Sequence, residues 1–158
     1  MGRADAEQTV FYEVREGDFL VSCDSQSLDV DRIHAFLTRS YWAEGVTRET
    51  VVRSIENSIP FGVYRDGSQV GFARVISDRA SYAYLADVYV EEAQRGKGLS
   101  KLLLRAVMAH PELQGLRRWI LGTRDAHGLY RQVGFTELQR PERWMEKADP
   151  KLYEREGG

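Results

Sequence analysis

The stretch Gln94-Arg95-Gly96-Lys97-Gly98-Leu99-Ser100 limits what this chain can become more than any other part of it. Before it runs a strand-like segment, Ser81 to Val90; after it come Leu99, Leu102, Leu103, Ala106 and Val107 at helical spacing, stopped at His110-Pro111. The order strand, glycine loop, helix places a helix N-terminus directly behind two glycines. The first amides of a helix lack intrahelical partners and carry a partial positive charge, so they favour an anion on the helix axis. Gly96 and Gly98 allow close backbone approach, while Arg95, Lys97 and Lys101 add cationic donors. A diphosphate suits such a loop. A dinucleotide fingerprint would need a third glycine, and a P-loop would end in glycine-lysine-serine or threonine; neither is present.

Composition narrows the remaining choices. The chain has 158 residues, 42% of them hydrophobic and 29% charged, which fits one domain with its own core. Its 22 basic and 24 acidic residues nearly cancel, so neither a nucleic acid nor an anionic membrane is expected as partner. Cys23 has no second cysteine to pair with, and the three histidines show no metal-ligand spacing, so no metal is expected. No apolar run reaches membrane-spanning length, and Met1 to Gln8 lacks the apolar stretch of a secretory signal; the expected location is the cytoplasm.

Residues 1–9 read as a flexible lead-in, 10–150 as one domain and 151–158 as a C-terminal tail. Two short strands are expected at Phe11 to Val14 and Phe19 to Cys23 around the turn Glu16-Gly17-Asp18. Asp29 caps a helix carrying Ile33, Phe36 and Leu37, and Thr47 caps a second with Val51, Val52, Ile55 and Ile59. Asp66-Gly67 between Phe61 to Tyr64 and Val70 to Ile76 signals a hairpin, and Ser81 to Val90 completes an antiparallel meander. Arg118 to Thr123 supplies a further strand, parallel to the third meander strand because a helix crosses between them. Ala126 to Val133 reads as a short helix, and Phe135 to about Lys147 as a last pair of extended segments.

Three motifs in order then resemble the GNAT superfamily of acyl-CoA-dependent N-acyltransferases. The family signature is arginine or glutamine, two residues, glycine, one residue, glycine or alanine; Arg95, Gly98 and Ser100 stand at those positions, with Ser100 as the departure. Leu85-Ala86-Asp87-Val88-Tyr89-Val90 looks like the family's fourth strand, and Ala126 to Phe135, with Tyr130 and Gly134-Phe135, looks like its tyrosine-bearing motif. The resemblance implies an α/β fold with a mixed, bent, mostly antiparallel sheet between helical layers, its fourth and fifth strands splayed around acetyl-CoA. It further implies that backbone groups of Val88 and Val90 pair with the pantetheine and that the amides of Gly96, Lys97, Gly98, Leu99 and Ser100 take the pyrophosphate. Thr123 falls where many relatives carry a pantetheine-binding asparagine.

Moving an acyl group from CoA to an amine requires a neutral nucleophile, a stabilised oxyanion and a proton for the leaving thiolate. Tyr130 falls on the family's tyrosine, and a neutral phenol can donate to a thiolate, downhill only with help from the site. Positioning the sulfur is its alternative role. Asp87 is the first candidate for the base; strand alternation sets it between Leu85 and Tyr89 on one face, where it equally suits a buried structural carboxylate. Diamine and polyamine acetyltransferases carry a glutamate just before this aspartate; Ala86 stands there, against a polyamine acceptor. Tyr41, Trp42 and Glu44 fall in the family's variable region, which shapes the acceptor pocket. His34 and His127 suit structural and surface roles, and Cys23 has no activating neighbours, so no acyl-enzyme is expected.

The expectation is direct transfer from acetyl-CoA to a primary amine of a small molecule. Protein or peptide amino groups are the alternative acceptor, and a non-catalytic acyl-CoA sensor the alternative class. Sheet edges near Trp144 and Met145 suggest a homodimer.

Overall fold

The computed structural model describes residues 11–156, so the expected lead-in over residues 1–9 lies outside the described residues. One six-stranded sheet runs in sequence order: β1 Glu13–Glu16, β2 Phe19–Ser22, β3 Ile59–Arg65, β4 Ser68–Ser77, β5 Tyr82–Val90 and β6 Arg118–Ile120. The first five strands pair antiparallel, and β6 joins β5 in parallel. The helices are α1 Val30–Leu37, α2 Arg48–Glu56, α3 Leu99–Met108, α4 His127–Arg131 and α5 Leu152–Glu156.

The local chemistry of each boundary is visible. Asp29 caps α1 by accepting from the Arg32 amide at 3.1 Å, and Thr47 caps α2 by accepting from Thr50 at 3.2 Å. The β3–β4 hairpin turns on Asp66 and Gly67, both left-handed with φ of 50° and 79°. Asp78 holds the β4–β5 turn by accepting from the amides of Ala80, Ser81 and Tyr82.

The sheet has a core on each face, which explains why β3 is buried along nearly its whole length. On one side Leu99, Leu103 and Val107 of α3 pack with Val21, Phe61, Val63, Val75 and Leu85. On the other, Ile33, Leu37, Val51 and Ile55 of α1 and α2 pack with Phe72 and Tyr89. Leu103 is fully buried, so truncation to alanine costs about 2–5 kcal/mol.

Four expectations change. Phe135 to Lys147 forms no strand; after Phe135 the run is mostly polar and charged, Pro141 lacks an amide for a ladder, and residues 141–143 make a single 3-10 turn. Trp144 instead lies under the Arg118 guanidinium at 4.8 Å, so the sheet edge invoked for a dimer is absent there. Ile59, counted with the second helix, opens β3. The segment read as a tail contains α5, and Tyr153 packs beside Gly45 in the α1–α2 connection.

The fourth change concerns β5. Phe72 faces Tyr89 and Arg74 faces Ala86, so Ala73 stands opposite two residues, Asp87 and Val88: a β-bulge. Asp87 has φ +56°, a left-handed conformation in which aspartate is enriched. The extra residue breaks the expected alternation. Leu85, Val88 and Val90 belong with the α3 core, while Tyr89 joins the α1–α2 core.

Candidate active site

β6 pairs with β5 over only three positions, Tyr82 with Arg118, Ala83 with Trp119 and Tyr84 with Ile120, and then leaves it. The β5 edge from Leu85 to Val90 is therefore open toward the β6 side. The Glu91 amide donates to Val70 across the sheet at 2.8 Å, so by strand alternation the Val90 and Val88 amides face the open edge. That is the arrangement for pairing with an extended, amide-bearing ligand. The Val90 carbonyl is partly engaged, accepting from Arg95 Nε at 3.2 Å.

At the end of this edge the chain turns through Gly96 and Gly98, with φ of 80° and 77°. Gly98 is the N-cap of α3, and no side chain caps that terminus, which leaves its amides available to an anion. Leu99 is buried as the anchor of the helix, whereas Arg95, Lys97 and Lys101 are exposed around the loop. Ser100 is half-buried in the first turn.

A cavity of about 480 Å³ opens beside β5 and is lined by several elements. β5 contributes Tyr84 to Val88, the β6–α4 loop contributes Gly122 to Ala126, and Tyr130 of α4 stands in its wall. Tyr41 and Trp42 reach in from the α1–α2 connection, and Tyr153 from α5. Burial pushes the Tyr130 hydroxyl above its ordinary value, with Tyr41 and Asp125 adding to the rise. A second hollow of about 420 Å³ shares Gly122, Thr123 and Tyr130, with Phe135 and Leu138 on its far side.

Asp87 accepts from Arg74 Nε at 2.6 Å with one oxygen and from the Trp42 indole at 2.9 Å with the other. Tyr41 packs edge-on against Trp42 and lies 4.0 Å from the Arg124 guanidinium, while its hydroxyl accepts from the Arg124 amide at 2.9 Å. Trp42 and Tyr41 thus tie the α1–α2 connection to β5 and to the β6–α4 loop.

The remaining expected residues fall as follows. Glu44 is exposed and does not line the cavity. Thr123 lines it, with its hydroxyl accepting from the Ala126 amide at 3.1 Å to hold the turn into α4. His127 is exposed, and His34 Nε2 lies 2.9 Å from the Val46 carbonyl in a structural bond. Burial and Glu112 push the Cys23 thiol up to about 12. Among the described residues no cluster of side chains suits a metal ion.

Arg74, Arg124 and Tyr153 were not singled out from the sequence, although all three line the cavity. The signal for Arg74 was present: one cation inside the otherwise apolar run Val70 to Ile76. Tyr153 gave none, because only the fold brings α5 back to the α1–α2 connection.

Comparison with known proteins agrees with this geometry. The profile of the Acetyltransferase (GNAT) family matches residues 26–135. A candidate acetyltransferase of Gibberella zeae is 33% identical over 137 aligned residues, covering 72% of this chain and 76% of its own. Among solved structures, a candidate GNAT-family acetyltransferase from Xanthomonas campestris pv. campestris shares 49% identity at a TM-score of 0.85, covering 88% of this chain and 99% of its own. A candidate acetyltransferase from Clostridium acetobutylicum, solved with acetyl-CoA, shares the fold at 13% identity and a TM-score of 0.60, covering 82% of this chain and 94% of its own. The family's splayed fourth and fifth strands are β5 and β6 here, and the chain belongs to the GNAT acetyltransferase family.

Proposed function

We propose that this protein is an N-acetyltransferase that passes an acetyl group from acetyl-CoA directly to a primary amine of a small molecule. One observation carries this: the open β5 edge ends at the uncapped, left-handed Gly98 terminus of α3, and its other end borders the cavity that holds Tyr130. The residues present fit acetyl-CoA. Val88 and Val90 offer strand-like amides to a pantetheine, and Gly96 to Ser100 offer unobstructed amides to a diphosphate.

Acetyl-CoA supplies an activated acyl thioester. The amine nitrogen, having lost one proton to solvent, bonds to the thioester carbonyl carbon as the carbon–sulfur bond breaks. Tyr130 gives its phenolic proton to the departing sulfur and recovers one from the nitrogen as the amide forms. Like any phenol it is protonated at neutral pH, and burial, by raising its affinity for that proton, requires the donation to be concerted with carbon–sulfur cleavage as negative charge builds on the sulfur. Asp87, with both oxygens engaged by Arg74 and Trp42, acts as a positioning residue that holds the cavity wall. Asp87 has both oxygens engaged, and we assign the amine's first proton to water.

The test is free-thiol release from acetyl-CoA with a panel of amines. Amine-dependent release in the wild type, with a turnover drop of about 100-fold or more in Tyr130→Phe and acetyl-CoA affinity retained, supports the assignment. Acetyl-CoA binding without amine-dependent release would mark a sensor.

A further inference from the structure

The charges around the cavity point to a particular kind of acceptor. The described lining carries two cations, Arg74 and Arg124, and two carboxylates, Asp87 and Asp125. Asp125 lies 3.5 Å from an Arg124 Nη, and Asp87 is taken up by Arg74 and Trp42. Only Asp125, 66% of its side chain exposed, is left to meet a second ammonium.

Arg74 offers the opposite. Its Nε is fixed on Asp87, with 16% of the side chain exposed, and among the described residues neither Nη donates to a protein acceptor. Arg74 lines the cavity, so its two Nη groups, held in plane by the bond on Nε, can offer one N–H each to a bidentate ligand there. A planar carboxylate matches that fork. Because Asp87 already offsets the charge on Arg74, a monoanion is less disfavoured here than a phosphate dianion, and its attraction comes from charge-assisted hydrogen bonds to the guanidinium.

The wall beyond Arg74 is mixed. Leu37, Val46 and Val51 back it from the α1–α2 side, each nearly or fully buried, while half-buried Thr50 and Ser54 of α2 and Tyr153 of α5 face the cavity more openly. The volume of about 480 Å³ lies at the small end of the range for ligand sites.

Building on the acetyltransferase assignment above, we propose that the acceptor is an amine that also carries a carboxylate, namely an α-amino acid. Arg74 binds the carboxylate, and the side chain lies along the wall formed by Thr50, Ser54 and Tyr153. The α-amino nitrogen then reaches the thioester beside Tyr130. The product is the N-acetyl amino acid, formed with the proton balance given above.

The experiment is thiol release from acetyl-CoA with matched pairs: L-leucine against isoamylamine and L-phenylalanine against phenethylamine, with phosphoethanolamine and spermidine as further arms. Charge-assisted bonds from Arg74 predict kcat/KM about 10- to 100-fold higher for each amino acid than for its decarboxylated twin. Arg74→Lys, which keeps a cation beside Asp87 but loses the fork, should shrink that margin mainly through KM. Equal rates within a pair overturn the proposal while leaving an active acetyltransferase. So do a preference for phosphoethanolamine or spermidine, transfer to no amino acid by enzyme that binds acetyl-CoA, or an unchanged margin in Arg74→Lys. The wild-type comparison decides even where the variant fails to fold. Absence of acetyl-CoA binding by calorimetry removes the underlying assignment and this proposal with it.

Discussion

Arg74 and Asp87 face each other across adjacent strands, Nε donating to Oδ2 at 2.6 Å, with 16% and 10% of their side chains exposed. The pair exists because the β5 bulge puts Asp87 in the left-handed region and turns its carboxylate toward β4 and Trp42. Removing the charge leaves a largely buried guanidinium without its partner, at a cost of about 3 kcal/mol. Asp87→Ala should lose about 1 kcal/mol more than Asp87→Asn, because asparagine tolerates positive φ better than alanine. Urea unfolding of both variants measures the difference. Equal losses would mean the backbone conformation at 87 contributes little.

Gly98→Ala separates binding from folding. A Cβ there meets nothing within 4 Å, so the folded state suffers only the strain of φ +77°, about 1 kcal/mol. The added methyl nevertheless sits where an anion approaches the helix terminus. Acetyl-CoA affinity should fall about 10-fold or more by calorimetry with a small loss in Tm.

His110 sets a pH dependence of stability. It is 6% exposed, lies edge-on to Tyr12 and Phe61, and accepts from the Glu112 amide through Nδ1 at 3.1 Å. Burial lowers its proton affinity in the folded state, while Glu112 opposes and Arg79 assists that shift. The unfolded chain therefore binds the proton first as pH falls. The contribution of His110 is complete above the unfolded value of about 6.5 and is lost as pH drops through the window below it. Denaturant midpoints should decline from pH 7 toward pH 5, with a shallower slope in His110→Gln.

Tyr130 as the proposed acid predicts an alkaline limb of catalysis. Its phenol, raised by burial, stays protonated past the usual value of about 10. Loss of turnover attributable to the acid should begin above pH 10, and Tyr130→Phe should lack that limb. A limb already complete by pH 9 argues against the phenol as the proton donor.

Cys23 follows β2 in a half-buried position, and its thiol is pushed up to about 12. Alkylation by iodoacetamide at pH 7.5 should be slow relative to a free thiol, and Cys23→Ala should leave turnover unchanged. A dead Cys23→Ala enzyme that is fully folded would reopen an acyl-enzyme route.

The residues proposed to hold the carrier were more legible in the sequence than those proposed to meet the acceptor. Gly96, Gly98 and the leucines of α3 are contiguous, and local chemistry fixes their arrangement: positive φ, an uncapped terminus, one apolar helical face. Asp87 was visible, but its orientation was not, because a bulge is a relation between two strands and leaves no mark on simple alternation. Arg74, Trp42, Arg124 and Tyr153 lie far apart along the chain and meet only in the folded molecule. Phe135 to Lys147 misled for another reason: Phe135, Leu138, Trp144 and Met145 supply hydrophobic residues, but Pro141 and interspersed charges deny them a ladder.

The bond from Trp42 to Asp87 and the contact of Tyr41 with Arg124 are the main polar ties between the connection after α1 and the wall built by β5 and the β6–α4 loop. Everything that would grip the carrier lies C-terminal to Leu85, whereas much of what would touch the acceptor comes from residues 37–54. Apart from Arg74, selection on acceptor choice can therefore work on the first third of the polypeptide and leave alone the residues proposed to grip the carrier. A lineage could change its diet by rewriting one connection and the two short helices beside it.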